Sequence, residues 1–496
     1  MHDALASTSD PVSQLLVALL LTTVFVVLAL EAAHRVLVVL VAVAALWGIT
    51  YLTPFRLLPL EHAGDAIDLN VLLLLAGMMA LVGVLKSTGV FAWAVDRLLA
   101  HRRHDPASAI AALWWFTAIA SAIVDNVTTV IFVTPMALAA GRRIGAPPTL
   151  VLLPLVMAAN IGGTATLIGD PPNIMIGSGA GLSFLDFLGA LALPTLAMMG
   201  GLHVWAARRL RAALAARTAA ERPAASADSD LAEIADRGLL RWLTAIGVGV
   251  LVGFVSHGAT GMPTAVPAIV GAAVALLVQD LRYLRASRPT HADRQHGILH
   301  VIEREIEWPT LTFFAFLFVL VGAAEATGLT TTLAHWLRDG IIAGRDAFAL
   351  DDAGTLLFAA LLVCWCAAAF SALMDNIPFV AVSIPVIAAL VPELPGDARV
   401  LWWALALGAC LGGNATPIGA SANVTTLGLV EREGVRISFA TFARTGVQVT
   451  LFTLLVSSAY LAAYVSLGAF RAALAMAGVA AVAIAPTLFR SRPTTS

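Results

Sequence analysis

The chain has 496 residues, of which 59% are apolar and 12% are charged, and its net charge is −2. A soluble protein has about 45–50% apolar and about 25% charged residues, so this composition excludes an ordinary soluble globular protein and favours a polytopic membrane protein. The net charge says nothing about partners, and no nucleic-acid partner is expected. The three cysteines, Cys364, Cys366 and Cys410, imply no disulfide framework.

Several apolar stretches are long enough to cross a bilayer, which takes about 20 residues. In chain order, spans are predicted near residues 12–31, 34–53, 66–86, 184–206, 239–257, 262–280, 306–326, 438–466 and 468–489. Amphipathic segments at 90–102 and 329–343 are predicted to lie at the membrane surface. The first apolar run follows acidic rather than basic residues, so we interpret it as a retained helix and not a signal peptide.

Four further apolar segments are interrupted by polar residues. Segments 106–140 and 353–392 each carry an Asp-Asn pair between two apolar arms of helical length, which predicts a re-entrant hairpin. Segments 149–179 and 398–430 carry Gly- and Pro-rich motifs, which predict two broken helices. Polar, irregular backbone is costly in lipid and persists at membrane depth only where it lines a protein cavity.

The interruptions come in matched pairs. DNVTT (residues 125–129) and GGTATLIGDPPN (162–173) are followed 250 residues later by DNIPF (375–379) and GGNATPIGASAN (412–423). The predicted fold is therefore an all-α polytopic membrane protein with two inverted five-helix repeats, each holding a hairpin and a broken helix. The first repeat covers residues 1–206, a cytoplasmic linker 207–238, the second repeat 239–466, and an extra helix and tail 467–496.

Arginine distribution predicts the orientation. When loops are assigned to alternate sides, one side collects most of the Lys and Arg, including Arg97, Arg142, Arg208 and Arg490. The positive-inside rule makes that side cytoplasmic. We expect a multi-pass protein of the inner (plasma) membrane with its N-terminus outside and its C-terminus in the cytoplasm.

The paired interruptions also predict the site, because such breaks mark the binding sites of secondary transporters. Half-helix ends expose carbonyls and N–H groups to a ligand, and glycines allow close approach. Polar side chains add oxygens and amides. The candidate substrate- or ion-binding residues are Asp125, Asn126, Thr128, Thr129, Gly162, Gly163, Thr164, Thr166, Gly169, Asp170, Asn173, Asp375, Asn376, Gly412, Gly413, Asn414, Thr416, Gly419 and Asn423.

The aspartates are the strongest indication of a functional site. An ionisable residue in a membrane segment is a functional hypothesis by default. Asp125 and Asp375 could carry protons or, with Asn126 and Asn376, bind Na⁺; the alternative is that they only cap helices. Asp170 is expected to matter less, because its repeat partner is alanine. No cofactor is expected beyond a coupling ion, H⁺ or Na⁺, and no catalytic residue is predicted.

The four motifs in this order resemble the ion transporter superfamily. More narrowly, they are similar to its branch of arsenite-pump membrane subunits (ArsB), NhaD-type sodium/proton antiporters and the P protein. The resemblance covers about residues 66–466 and implies a scaffold domain, a transport domain and two hairpin tips that meet the broken helices. Dicarboxylate-carrying relatives have Ser-Asn-Thr at these tips. Asp125 and Asp375 would instead repel a citrate-like anion.

We therefore expect a secondary active transporter rather than an enzyme, with proton-coupled efflux of a small inorganic species such as arsenite or antimonite as the leading hypothesis. Sodium/proton antiport and an organic-anion permease are the alternatives. A passive channel is a further alternative, and an intramembrane aspartyl hydrolase using Asp125 and Asp375 does not account for the duplicated breaks. A homodimer is left open by the resemblance, and a cytoplasmic ATPase partner would be expected of a true arsenite pump.

Overall fold

A computed structural model of the chain describes residues 10–101, 105–216, 233–286, 300–469, 471–472 and 474–479. These residues form helices joined by turns, with no strand among them. Eleven of the described helices are long and apolar enough to cross a membrane. The prediction of an all-α polytopic membrane protein is confirmed.

The first part of the chain forms ten helices. They are α1 (Pro11–Ala29), α2 (Arg35–Leu52), α3 (Leu60–Ala66), α4 (Leu69–Ser87), α5 (Val90–His101), α6 (Pro106–Ser121), α7 (Asn126–Ile144), α8 (Pro148–Thr164), α9 (Pro171–Ala180) and α10 (Phe184–Ala215). Helices α6 and α7 form the first predicted hairpin, and α8 and α9 are the two halves of the first broken helix.

The second part repeats this order. Its helices are α11 (Arg237–Thr260), α12 (Ala265–Ala286), α13 (Trp308–Ala326), α14 (Leu329–Phe348), α15 (Asp352–Leu373), α16 (Asn376–Leu390), α17 (Val400–Gly412), α18 (Ser421–Arg432) and α19 (Phe439–Leu467), with a short π-helical turn at Val301–Glu305. Helices α15 and α16 form the second hairpin, and α17 and α18 form the second broken helix.

Most predicted segments agree with the helices to within a few residues, with two differences at the domain boundaries. Helix α10 continues to Ala215, so the chain predicted as a linker from residue 207 begins as helix. Residues 217–232 of that linker lie outside the described residues. Of the extra C-terminal helix predicted at 468–489, the described residues 469, 471–472 and 474–479 are helical, and 480–496 lie outside them.

The two repeats pack across each other at the centre. Each hairpin's second arm contacts the second half of the opposite broken helix, so α7 packs on α18 and α16 packs on α9. The first halves α8 and α17 also touch, and α17 is entirely buried. The motif-bearing elements therefore converge in the interior of the helical bundle, whereas α1, α2, α11 and α12 lie toward the outside with many exposed apolar side chains.

Candidate functional site

Each hairpin is tied to its own broken helix by the same hydrogen bonds in both repeats. The Ser121 hydroxyl donates to the Ala159 carbonyl at 2.7 Å, and 250 residues later the Ser371 hydroxyl donates to the Ala409 carbonyl at 2.6 Å. Threonine hydroxyls repeat this at the hairpin turns: Thr166 donates to Ala122 and Thr416 to Ala372, at 2.6 and 2.7 Å. The duplicated motifs thus correspond to a duplicated structure.

The helix breaks depend on glycine and asparagine. A Cβ atom on Gly162 would collide with the Ala118 backbone, and one on Gly412 would collide with that of Ala368, so only glycine allows the hairpin to approach this closely. The break exposes carbonyls that the helix no longer satisfies. The Asn173 side-chain amide donates to the Thr166 carbonyl at 2.9 Å, among others.

Asn423 does the same in the second repeat. Its amide donates to the carbonyls of Gly413 and Thr416 at 2.7 and 2.9 Å. Both asparagines are fully buried. They therefore replace, inside the protein, the hydrogen bonds that water would supply to a broken helix at the surface.

A buried amide network joins the two repeats. The Asn160 Nδ2 atom donates to Asn414 Oδ1 and to Asn423 Oδ1, both at 3.0 Å, and its Oδ1 atom accepts from Asn126 Nδ2 at 3.2 Å. One side chain on α8 thus connects the first hairpin tip to the second broken helix. The equivalent position in the second repeat is Cys410, whose thiol lies 3.4 Å from Asn173 Oδ1.

The two hairpin tips meet in a cavity of about 180 Å³, and Asn126 belongs both to this cavity and to the amide network. Asp125 and Asn126 line it from the first tip, and Asp375 and Asn376 from the second. Further polar side chains at its wall are Arg35, Asp170, Glu307, Thr310, Ser421 and Thr425. The tips therefore converge as the paired motifs predict.

The cavity is acidic. Its wall carries four carboxyl groups, from Asp125, Asp170, Glu307 and Asp375, and one guanidinium, from Arg35. Asp170 is only 2% exposed, and its Oδ2 atom and the Asp375 Oδ1 atom have no hydrogen-bond partner among the described residues. Buried polar atoms are normally paired, so these oxygens are free to take a proton or a ligand.

The two tip aspartates are held differently. Asp125 caps its own helix: its Oδ1 accepts from the Thr128 N–H at 2.8 Å and its Oδ2 from the Thr128 hydroxyl at 2.6 Å. Asp375 makes no such cap. Its Oδ2 instead accepts from the Ser421 hydroxyl at 2.5 Å and lies 4.0 Å from the Arg35 guanidinium.

The predicted site residues separate into two groups. Five of them, Asp125, Asn126, Asp170, Asp375 and Asn376, line the cavity. The others lie in the first turn of α7 or build the helix breaks: Thr128, Thr129, Gly162, Gly163, Thr164, Thr166, Gly169, Asn173, Gly412, Gly413, Asn414, Thr416, Gly419 and Asn423. Among the described residues, no three His, Cys, Asp or Glu side chains are grouped closely enough to hold a metal ion.

Sequence analysis missed Arg35, Asn160, Glu307 and Ser421. Ser421 lies inside a quoted motif, and Asn160 is a lone amide in an apolar helix two residues before the Gly-Gly pair, so both left a signal. Arg35 is the first residue of an ordinary apolar helix and Glu307 immediately precedes another, and in sequence a charge at a helix end looks like part of a loop. No cysteine lines the cavity.

Comparison with known proteins agrees with this architecture. Residues 25–408 match the family model described as citrate transporter. An uncharacterized transporter of Mycobacterium tuberculosis is 36% identical over 443 residues, covering 88% of this chain and 95% of that protein. The mouse P protein is 31% identical over 517 residues, covering 89% of this chain and 59% of the P protein.

The solved YdaH transporter of Alcanivorax borkumensis has a similar fold. It aligns with a TM-score of 0.57 at 16% identity, over 88% of this chain and 99% of that one. An intramembrane aspartyl hydrolase does not agree with these comparisons, because the matched family and the mycobacterial relative are both named as transporters. The extent of the family match and the identity to the relatives show that this chain is a membrane transporter of the citrate transporter family, within the ion transporter superfamily.

Proposed function

We propose that this protein couples the movement of a small cation or small neutral solute to protons that bind in the acidic cavity. The observation that carries the proposal is the set of four carboxyl groups facing a single guanidinium around about 180 Å³. Ionised groups away from water are costly unless they are paired. The carboxylates therefore favour taking up protons or a cation before the site moves through the membrane.

Among the candidate transport reactions, the cavity lining favours sodium/proton exchange. A cation would find carboxylate oxygens together with the neutral oxygens of Ser421 and the hairpin tips, which are the ligands that hard cations prefer. Proton-coupled efflux of arsenite or antimonite stays a prediction. Ligation of arsenic by thiolates draws no support, because Cys364 and Cys410 are buried and none of the three cysteines lines the cavity.

An organic anion is the second candidate, because the matched family is named for citrate. Among the described residues, Arg35 is the one cationic side chain at the cavity wall and would be its partner. Four carboxyl groups around the same space oppose a multiply charged anion, so such a substrate would have to enter with protons or cations bound.

Transport by purified protein in liposomes separates these candidates. Vesicles are loaded at acidic pH with a pH-sensitive dye, and external NaCl, arsenite, citrate or choline chloride is added. We expect Na⁺ to raise the internal pH and choline not to, and Asp375→Asn to abolish the response. Proton movement driven by citrate alone would overturn the proposal in favour of the organic-anion permease.

Location in the inner membrane, an external N-terminus and a homodimer stay predictions, as does an ATPase partner for an arsenite pump.

A further inference from the structure

At two positions near the tip aspartates, one repeat has a proline where the other has a hydroxyl residue. Thr128, whose N–H and hydroxyl donate to Asp125, corresponds to Pro378 in the second repeat, and Pro171, which starts α9, corresponds to Ser421 at the start of α18. Proline has no N–H, so Asp375 cannot receive the backbone bond that Asp125 receives from its own helix. The second carboxylate is released from capping and turns toward Ser421 and Arg35.

Arg35 is held in a fixed position opposite Asp375. Its Nη2 atom donates to the Thr310 hydroxyl at 2.8 Å, its Nη1 atom lies 3.4 Å from the Ser421 hydroxyl, and the guanidinium stands 5.8 Å from the Phe313 ring centre. The Thr310 hydroxyl in turn donates to Glu307 at 2.8 Å. The charge of Arg35 thus reaches Asp375 from α2, an outer helix that belongs to neither hairpin.

We infer that Arg35 is a tethered counter-ion that balances the Asp375 carboxylate in the empty cavity and is displaced from it by the transported cation. Asp375 is then the ion-carrying carboxylate, and Asp125 serves its helix as a cap. This inference rests on the proposed cation-linked transport. The separation of 4.0 Å with no direct hydrogen bond between Arg35 and Asp375 suits a pair that must separate in each cycle.

This arrangement has a consequence for coupling. The Asp375 charge is compensated by Arg35 when the site is empty and by a cation or a proton when the site is loaded, so the cation and the proton compete for one carboxylate and exchange for each other. The other charged groups at the cavity, Asp125, Asp170 and Glu307, face the same space. Arg35 also competes with the cargo and therefore sets the concentration at which a cation binds.

A double-mutant cycle tests the pairing. The melting temperature of the purified full-length protein is measured for Arg35→Gln, Asp375→Asn and the double variant, with Asp125→Asn replacing Asp375→Asn in a matched control cycle. We expect each single variant to have a lower melting temperature than wild type. The loss of melting temperature in Arg35→Gln/Asp375→Asn should be smaller than the sum of the two single losses. The control cycle should be additive, because Asp125 bonds to Thr128 rather than to Arg35.

Sodium titration then tests displacement. Melting is followed in NaCl against N-methylglucamine chloride at constant ionic strength. The Arg35→Gln variant lacks the charge that competes with sodium for Asp375. The sodium concentration at the midpoint of its stabilisation should therefore be lower than that of wild type by about tenfold or more, as expected for loss of a competing charge pair. The Arg35→Gln/Asp375→Asn variant should lose that response.

Additivity in both cycles, or equal sodium midpoints in wild type and Arg35→Gln, would overturn the inference. Failure of the proposed function gives a different result: wild-type liposomes would show no sodium-driven proton movement while the Arg35–Asp375 coupling is still measured. A third variant, Pro378→Thr, restores the residue type found at Thr128. It should let Asp375 cap its helix and shift the sodium midpoint upward, and an unchanged midpoint would likewise count against the inference.

Discussion

Replacement of Asn160 by alanine should be far more damaging than the same replacement at its repeat equivalent, Cys410. Asn160 is fully buried and makes three side-chain hydrogen bonds, to Asn126, Asn414 and Asn423. Cys410 makes one long hydrogen bond, from its thiol to Asn173 at 3.4 Å, and the thiol also lies close to the Asp170 carboxyl. The two positions are matched in the fold, so their difference isolates the amide network.

The bonds set the expected magnitude. Hydrogen bonds between membrane helices average about 0.6 kcal/mol, which gives about 2 kcal/mol for three. Buried partners left unsatisfied cost about 1–3 kcal/mol each, although Asn423 keeps its bonds to Gly413 and Thr416. We therefore expect Asn160→Ala to lower the free energy of unfolding by about 2–4 kcal/mol, and Cys410→Ala by less than about 1 kcal/mol.

Equilibrium unfolding in mixed detergent micelles measures both losses. The Asn160→Ala variant should also transport more slowly, because the same side chain fixes one hairpin tip against the opposite broken helix. Equal losses for the two variants, or a larger loss for Cys410→Ala, would refute the idea that the amide network holds the repeats together.

Three further predictions follow from other parts of the molecule. Asp375→Asn should abolish gradient-driven transport in liposomes. Asp125→Asn should mainly remove a helix cap, which lowers stability by about 1 kcal/mol in thermal melting. Loss of transport in Asp125→Asn but not in Asp375→Asn would contradict these roles. Gly162→Ala should lower stability by about 1–3 kcal/mol because its Cβ meets the Ala118 backbone, while Gly428→Ala, with open space around it, should have little effect in the same melting assay. A cysteine introduced at Ser7 should react with an impermeant thiol reagent on intact cells and one at Ser226 should not, in a cysteine-free background; the opposite labelling would reverse the orientation.

The fold could be predicted closely because its signals are local. Apolar length gives the spans, and clusters of Gly, Pro and Asn in an apolar context give the breaks, since irregular backbone at membrane depth must line a protein cavity. Helix α10 was predicted too short because the arginines after residue 206 look like a linker, yet helix continues to Ala215. Arginine is a good helix former and needs no buried face to extend a helix beyond the bilayer.

The sequence predicts the aspartates of the site but not the residues from distant helices that pair with them. The motifs point to Asp125, Asp170 and Asp375, but nothing within their own segments points to Arg35, which lies 4.0 Å from Asp375 although 340 residues separate them in the chain. Periodicity and motif spacing report what happens along one helix. They do not report which distant helix end supplies a counter-charge.

Duplication explains why the two halves share a framework, and a few exchanged residues explain why they need not share a role. Gly, Ser and Asn recur at both breaks because each break must meet the same cost of unsatisfied carbonyls. The charged and capping positions escape that constraint: Asp170 corresponds to Ala420, and Thr128 to Pro378. In the role proposed above, one uncapped carboxylate with a nearby counter-charge is enough to bind and release a cation. The two tips can therefore keep one framework of hydrogen bonds and still differ in chemistry.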